Sequence, residues 1–191
     1  MVTRRKDTKK ALMASAVHLV SKHGVEGGTT RAIAQETGVT EGAIYRHYRS
    51  LDELRWQAYK DIVEQMIQEK QHLLAASSPF RDTVREWIRL TYMYFDRHPE
   101  AFTYALLLVP APVPDTDWQI TIQQGQLFRR LVEQAITEGE IRDIAPELAL
   151  CHFSGLMLNI PRSINEGKLE GPAAQYVDEA ADAVWATLRP R

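Results

Sequence analysis

The sequence has little that would support an extracellular or membrane-bound protein. Its 191 residues include one cysteine, Cys151, which cannot form a disulfide within the chain. No basic segment followed by an apolar run opens the chain, so no secretory signal is predicted. The longest apolar stretch, residues 105–113, is interrupted by two prolines and is far shorter than the roughly 20 residues of a membrane span. These absences predict an intracellular, cytoplasmic protein with no membrane partner.

The sequence also lacks the residue spacings that mark enzymes and metal sites. No phosphate-binding loop, nucleophile elbow or cysteine–histidine pairing is found. The six histidines show no clustered spacing, so His152 is not expected to bind a metal. We therefore predict no catalytic residue, no metal and no cofactor, and a helical enzyme is only a remote alternative.

Charge is distributed unevenly along the chain. Residues 1–50 carry nine basic and four acidic side chains, whereas residues 51–191 carry 14 basic and 21 acidic ones. A basic module on an acidic body is typical of a protein that binds a polyanion, and a merely solvated basic surface gives the same pattern. Lys9 and Lys10 favour the first alternative. They stand at the start of a predicted helix, where a cation opposes the helix dipole and a phosphate contact would explain it.

Helical periodicity dominates the chain, and no convincing strand or hairpin is predicted. Start and stop signals divide the sequence into nine helices, so the predicted fold class is all-α. The clearest predicted helices cover residues 8–23, 51–74, 116–138, 146–166 and 172–188. A stiff loop is expected at the prolines of residues 110–114.

Residues 30–49 have the skeleton of a helix-turn-helix. Ala34 is small enough for a close crossing, Gly38 permits the positive φ of a sharp turn, and Ile44 faces inward to hold the second helix. Thr29 and Thr40 are suited to cap the two helices, and Ser50 with Glu53 forms a capping box for the fourth helix. The second helix would present these residues to a major groove: Thr40, Gly42, Ala43 and Arg46.

The segment TTRAIAQETGVTEGAIYRHYRSLDEL, residues 29–54, closely resembles the signature of the TetR family of transcriptional repressors. The resemblance runs from about residue 8 to about residue 65, and it continues more loosely through HPEAF (98–102) and EGEIRDIAPELA (138–149). The sequence departs from the family at Leu51, where a lysine is frequent. One expected phosphate contact is therefore missing.

The resemblance implies a two-domain, nine-helix homodimer, with a DNA-binding domain at residues 1–50 and a ligand-binding and dimerisation domain at residues 51–191. It implies that Thr30 and Arg31 contact the DNA backbone or adjacent bases, and that the four groove-facing residues meet base edges. Tyr45, His47 and Tyr48 would hold phosphates. For Tyr48 the alternative is a ring buried against the first and fourth helices.

The second domain combines aromatic bulk with scattered polar groups, as a mostly apolar ligand cavity does. The same aromatic spacing is more often plain core. His152 and Asn159 lie two turns apart on one predicted helix, and as polar groups they need a partner. The candidate ligand-binding residues are Trp87, Tyr92, Phe95, Phe102, Trp118, Phe128, His152, Phe153 and Asn159.

Small residues in the last two predicted helices permit close packing across a two-fold axis. The same seam could instead be intramolecular. The candidate dimer-interface residues are Ala149, Gly155, Ala180, Ala183 and Val184.

The combined prediction is a TetR-type, ligand-responsive repressor. Its dimer would bind a palindromic operator on double-stranded DNA, because one short helix reads few bases, and a small apolar or aromatic effector would release it. The alternative is a DNA-binding regulator with no small-molecule effector, controlled by a protein partner or by its abundance. A closed cavity in the second domain would favour the first of these.

Overall fold

The computed structural model describes residues 2–74, 78–108 and 118–190, with side chains for residues 7–73, 78–108 and 126–190. These residues contain nine α-helices and no strand, which confirms the predicted all-α class. The helices are α1 (Val2–His23), α2 (Thr30–Thr37), α3 (Glu41–Ile44), α4 (Leu51–Lys70), α5 (Phe80–Arg97), α6 (Pro99–Phe102), α7 (Trp118–Thr137), α8 (Pro146–Asn165) and α9 (Val177–Leu188). No helix of these described segments is long and apolar enough to cross a bilayer.

The chain forms two compact units, and the division falls inside α4. One unit, here called the head, contains the described residues up to Glu64 and those from Pro99 to Trp118. The other, here called the body, contains the described residues 65–98 and 119–190. The head therefore includes α6 and the π-helical segment Thr103–Leu108 in addition to α1, α2 and α3.

A small hydrophobic core holds the head together. Side chains from α1, α2, α3 and α4 meet in it, and their burial stabilises helices too short to persist alone. The inward orientation predicted for Ile44 is confirmed, since its side chain is buried, and Ile33 is buried beside it. The buried members of this core are Leu12, Ala16, Ile33, Ala34, Ile44, Tyr48 and Leu54.

Helix ends agree with the sequence where a stop signal exists. Helices α1, α7 and α8 end one or two residues before Gly24, Gly139 and Gly167, and each of these glycines has a positive φ. Helix starts agree less well. Helix α1 begins at Val2 rather than near residue 8, because no breaker precedes the cationic segment. The proline-rich loop predicted at residues 110–114 lies outside the described residues.

Two predicted helices are shorter than expected because each gives way to a 3-10 turn. Helix α4 ends at Lys70 and is followed by the turn Gln71–Leu74. The last helix is preceded by the turn Ala173–Tyr176, so α9 begins at Val177. The Asp96 carboxylate of α5 accepts hydrogen bonds from the Ala173 and Ala174 amides, at 2.7 and 3.0 Å, and so fixes this turn.

The body is built on α5, whose apolar face is buried. Helix α9 packs against α5 and α8. Two ion pairs between exposed groups align α9 with α5: Arg81 with Asp182 at 2.9 Å and Arg85 with Asp178 at 2.6 Å. Their contribution to stability is small, since exposed ion pairs are screened by water and salt.

Candidate DNA and ligand sites

The turn between α2 and α3 has the geometry that the sequence predicts. Thr29 and Thr40 each accept a hydrogen bond from the amide three residues on, at 3.1 and 3.3 Å. Gly38 has φ 69° and lies in the left-handed region that ends α2. The following amide, that of Val39, donates to the Ala34 carbonyl at 3.0 Å. Each of the two short helices therefore begins with a capping hydrogen bond, and the turn that joins them is hydrogen-bonded to the end of α2.

Helix α3 and the residues on either side of it present a largely exposed outer face, although the helix ends at Ile44 and Arg46, predicted to lie on it, follows in a turn. Thr40, Gly42 and Arg46 are exposed, Ala43 is half-buried, and the Tyr45 ring is 53 % exposed. A Cβ atom added at Gly42 would meet no heavy atom within 4 Å. No contact of the protein with itself therefore requires glycine here, although glycine costs a helix about 1 kcal/mol relative to alanine. A close approach by another molecule would account for it.

The Tyr48 ring is buried, which is the alternative to a phosphate contact that the sequence left open. Its ring is 3 % exposed and belongs to the core of the head, which leaves it unavailable to hold a phosphate. The hydroxyl donates to the Lys9 carbonyl of α1 at 3.2 Å, and burial is the main cause that raises the Tyr48 pKa to about 12. Tyr48 therefore anchors the segment that follows α3 to α1.

Lys9 is exposed, and its Nζ atom lies 5.1 Å from the centroid of the Tyr48 ring. A cation over an aromatic face is attracted to it and keeps its charge. The ammonium therefore stays available to a phosphate while its position is restricted. His47 is half-buried. At the start of α2, Thr30 is half-buried and Arg31 is exposed.

Arg55 of α4 is a structural residue that sequence reasoning missed. Its guanidinium donates to the carbonyls of Val25 and Gly28, at 2.9 and 3.0 Å, and so fastens the α1–α2 connection to α4. The backbone carbonyl of Arg55 accepts the hydroxyl of Tyr104 at 2.9 Å. No periodicity or spacing could have indicated these bonds, because their acceptors are backbone groups 27 and 30 residues away.

His18 of α1 links α1 to two other helices of the head. Its Nδ1 atom lies 3.0 Å from the Glu100 carboxylate of α6, and its Nε2 atom lies 3.7 Å from the Glu36 carboxylate of α2. Ser15 donates a hydrogen bond to the same Glu36 side chain. The position of α2 is therefore tied to that of α6 through α1.

The exposed lysines and arginines of residues 7–50 have no acidic partner among the side chains that the structure describes. Within the described side chains, none of them forms an ion pair with a carboxylate. In the body, by contrast, Arg81, Arg85 and Arg89 each pair with an acid. This part of the head thus keeps its positive field available to an external polyanion. The cations concerned are Lys9, Lys10, Lys22, Arg31, Arg46 and Arg49.

The aromatic residues predicted to line a ligand cavity are in large part packed against one another. The rings of Phe128 and Phe153 stack at 4.1 Å, and Trp87 meets each of them edge-on at 5.8 and 6.0 Å. All three side chains are buried. In the described part of the body these rings form a core cluster between α5, α7 and α8.

The hydroxyl of Tyr92 compensates for a proline inside α8. Pro161 lies inside α8 and has no N–H, so the carbonyl four residues earlier, that of Met157, lacks its usual helical donor. The Tyr92 hydroxyl supplies that bond at 3.0 Å. Burial alone raises the Tyr92 pKa well above its ordinary value. The Tyr92 hydroxyl is thus engaged within the protein rather than directed at a ligand.

The remaining candidate ligand residues differ in burial and in the unit to which they belong. Phe95 is buried in α5, whereas Phe102 is buried in the head. His152 is half-buried, and its Nδ1 atom is buried without a hydrogen-bond partner among the described residues, while Asn159 is exposed. The side chain of Trp118 lies outside the described residues.

The candidate dimer residues separate into two groups. Ala149, Ala180 and Val184 are buried inside the chain, so for these three the intramolecular alternative holds. They pack there because α9 lies against α5 and α8. Gly155 and Ala183 are exposed, and a Cβ atom at Gly155 would meet nothing within 4 Å. Leu148, on the same helix as Gly155, is 48 % exposed.

Comparison with known families gives a match at the helix-turn-helix. A family model described as bacterial regulatory proteins of the tetR family matches residues 12–55, which run from α1 into α4. The described residues contain no group of three or more side chains that could hold a metal ion.

Similarity to individual proteins extends over nearly the whole chain. The nucleoid occlusion factor SlmA of Marinobacter nauticus is 24% identical, with 97% of this chain and 100% of the relative covered. A TetR family transcription regulator from Marinobacter aquaeolei VT8 superposes with a TM-score of 0.82 at 18% identity, over 100% of both chains. The transcriptional regulator FadR from Bacillus subtilis, solved in complex with stearoyl-CoA, gives 0.78 at 13% identity, over 92% of this chain and 96% of that one.

Proposed function

We propose that this transcriptional regulator of the TetR family of bacterial regulatory proteins is a ligand-responsive repressor. Its dimer would bind a palindromic operator through α3 and would release it when a small apolar effector binds to the body. An effector achieves this by binding the released conformation better than the DNA-bound one, and a difference of a few kcal/mol is sufficient.

The observation that carries the DNA-binding part is the outer surface of the helix-turn-helix. A turn fixed by capping hydrogen bonds positions an exposed face in which no internal contact requires Gly42, and the cations near it in the sequence form no ion pair among the described side chains. Small residues let the α3 backbone come close to base edges, while the cations meet phosphates. The proposed contacts are Lys9, Thr30, Arg31, Thr40, Gly42, Ala43, Tyr45 and Arg46, with His47 at the margin.

Selection of binding sites from randomised duplex DNA at fixed salt tests this proposal. A palindromic sequence is the expected product, because two α3 helices must each read one half-site. If no sequence is enriched, a DNA-reading dimer is excluded.

The selected site then allows a quantitative test. Arg46→Ala should weaken specific binding by roughly 1–3 kcal/mol, whereas the control Arg130→Ala, an exposed change on α7, should leave it unchanged. Affinity should also fall steeply with salt, since phosphate contacts release counterions. Normal binding by Arg46→Ala would contradict the proposed docking of α3.

The effector is proposed to be apolar for two reasons. The body is rich in aromatic side chains, and the structurally similar FadR from Bacillus subtilis was solved with stearoyl-CoA, which carries a long acyl chain. A second candidate function is a DNA-binding regulator without an effector. The packing of Trp87, Phe128 and Phe153 on one another favours it, because packed rings need no ligand to be stable.

A further inference from the structure

A buried lysine in the body has no role in the architecture described above. Lys70 is the last residue of α4, and its side chain is 1 % exposed. Its Nζ atom donates to the Met66 carbonyl of the same helix at 3.3 Å and lies 5.9 Å from the centroid of the Trp87 ring. A lysine is almost never fully buried unless it is paired.

The contacts of Lys70 within the described residues do not satisfy its ammonium group. That group has three donors, of which one meets a carbonyl, and no carboxylate of the described side chains forms an ion pair with it. The Trp87 face offers partial compensation. Glu69 is next in sequence and close enough to act on the charge of Lys70, and its Oε2 atom is buried without a hydrogen-bond partner among the described residues, but the two side chains form no ion pair.

Charges around Lys70 leave it mostly protonated at neutral pH. Burial lowers the Lys70 pKa to about 8, and the nearby Glu69 opposes this shift. Other titratable groups belong to the surrounding elements: Tyr94 of α5, whose pKa is raised by burial and by Glu69, Glu86 of α5, and His72 of the following turn. Glu86 is already held by Arg89, at 2.6 Å.

The surroundings of the ammonium are aromatic. The Lys70 ammonium lies over the Trp87 ring, and Trp87 packs edge-on against Phe128 and Phe153. A molecule that joins a carboxylate to an apolar body would satisfy both features. The carboxylate would accept, in a charge-assisted hydrogen bond, the N–H donors that have no partner among the described residues, and the apolar part would lie beside the cluster that Trp87 forms with Phe128 and Phe153.

We propose that Lys70 binds the carboxylate of an apolar organic acid, which defines the effector class of this regulator. The inference rests on the proposed ligand response and adds to it the requirement for a negative charge. The uncharged analogue of such an acid would leave the Lys70 donors unsatisfied and would bind more weakly.

Matched pairs of acids and neutral analogues test this proposal on the full-length protein. The probes are dodecanoate with 1-dodecanol, and 1-naphthaleneacetate with its amide, each titrated by calorimetry below the micelle concentration. The variants are Lys70→Met, which keeps an unbranched side chain, and the control Lys60→Met. Lys60 lies on the same helix, half-buried and 4.0 Å from Glu64. Circular dichroism verifies that both variants are folded.

The wild-type protein and Lys60→Met should bind at least one acid about ten- to a hundredfold more tightly than its neutral partner, and Lys70→Met should lose this preference. The acid affinity of the wild type should decline above about pH 8 as Lys70 loses its proton. Equal affinity for acid and neutral partner, no binding by either acid, or an unchanged preference in Lys70→Met would overturn the proposal.

Operator release, followed by fluorescence anisotropy of labelled DNA, separates this inference from the proposed function. If a neutral analogue releases the operator as well as its acid does, the ligand response stands and the role of Lys70 is wrong. If the acids bind through Lys70 but leave the operator complex intact, the site stands and the ligand-responsive function is wrong.

Discussion

At the scale of single residues, the pairing of Tyr92 with the Met157 carbonyl gives a test of how α8 tolerates its internal proline. Tyr92→Phe should lower the free energy of unfolding by about 1–3 kcal/mol, because a buried carbonyl loses its donor. In a Pro161→Ala background the cost should be smaller, since the introduced alanine supplies the missing N–H. Urea denaturation of the four proteins measures the coupling.

A matched control for this cycle is Tyr176→Phe. The Tyr176 hydroxyl also donates to a backbone carbonyl, that of Glu170 at 2.9 Å, but the site is exposed and water replaces the bond. Its loss should cost less than about 0.5 kcal/mol. If Tyr92→Phe costs the same with and without Pro161, the hydroxyl does not compensate for the proline.

Lys70 should make stability increase with pH in a defined window. Its pKa is about 8 in the folded protein and about 10.5 in the unfolded chain, so between these values the unfolded state binds more protons. Stability of the wild type relative to Lys70→Met should therefore rise by about 2 kcal/mol from pH 8 to pH 10. Parallel denaturation curves at several pH values measure this difference.

The wild type and Lys70→Met share all other titrating groups, so these cancel in the comparison. Among them are buried tyrosines such as Tyr92 and Tyr104, whose raised pKa values make the folded state lose stability above about pH 10. A difference between the two proteins that stays constant over the window would mean that Lys70 is not titrating there.

Residue-level prediction succeeded where a side chain acts locally. The caps at Thr29 and Thr40 and the turn at Gly38 depend on positions three or four residues away, which the sequence displays. Sequence analysis could not decide whether the Tyr48 ring is buried, because its spacing after Ile44 fits both a buried and an exposed ring. Arg55 and Lys70 were missed because their environments are formed by segments that are distant in sequence.

At the scale of elements, the turn between α2 and α3 should be sensitive to backbone conformation alone. A Cβ at Gly38 would meet nothing within 4 Å, so a substitution there meets no steric clash and is opposed only by φ 69°. Gly38→Val should destabilise the protein by about 2 kcal/mol, whereas Gly38→Asn should cost less than half as much, because asparagine tolerates the left-handed region. Thermal denaturation measures both.

Equal losses for valine and asparagine at Gly38 would show that the left-handed conformation is not what the position requires. The same reasoning explains which helix ends were predictable. An end marked by glycine or by a capping hydroxyl is encoded locally, as at α2 and α8, whereas the start of α9 depends on Asp96 of α5 holding the preceding turn.

At the scale of the whole molecule, Gly155 provides a test of the proposed dimer. It is exposed on α8, and added side-chain atoms begin in open space, so the chain itself should accept a large residue there. Gly155→Trp should therefore fold normally but weaken self-association, while Gly155→Ala should still associate. Sedimentation velocity measures the oligomeric state, and the selected operator measures the accompanying loss of affinity.

A Gly155→Trp protein that remains fully dimeric would place the interface elsewhere. The sequence could propose a seam of small residues in α8 and α9, but it could not decide which members face inside. Ala180 and Ala183 are three residues apart on one helix, yet the first is buried and the second exposed. That distinction depends on where α5 lies.

The open space at Gly42 has an evolutionary consequence. Exchange of this glycine for alanine would increase the intrinsic stability of α3 and disturb no internal contact, so the fold itself does not oppose the change. If α3 reads DNA as proposed, the change would alter the DNA sequence that a descendant protein prefers. New specificity could then arise at this position without a compensating mutation, and stability and inherited specificity would act on it in opposite directions.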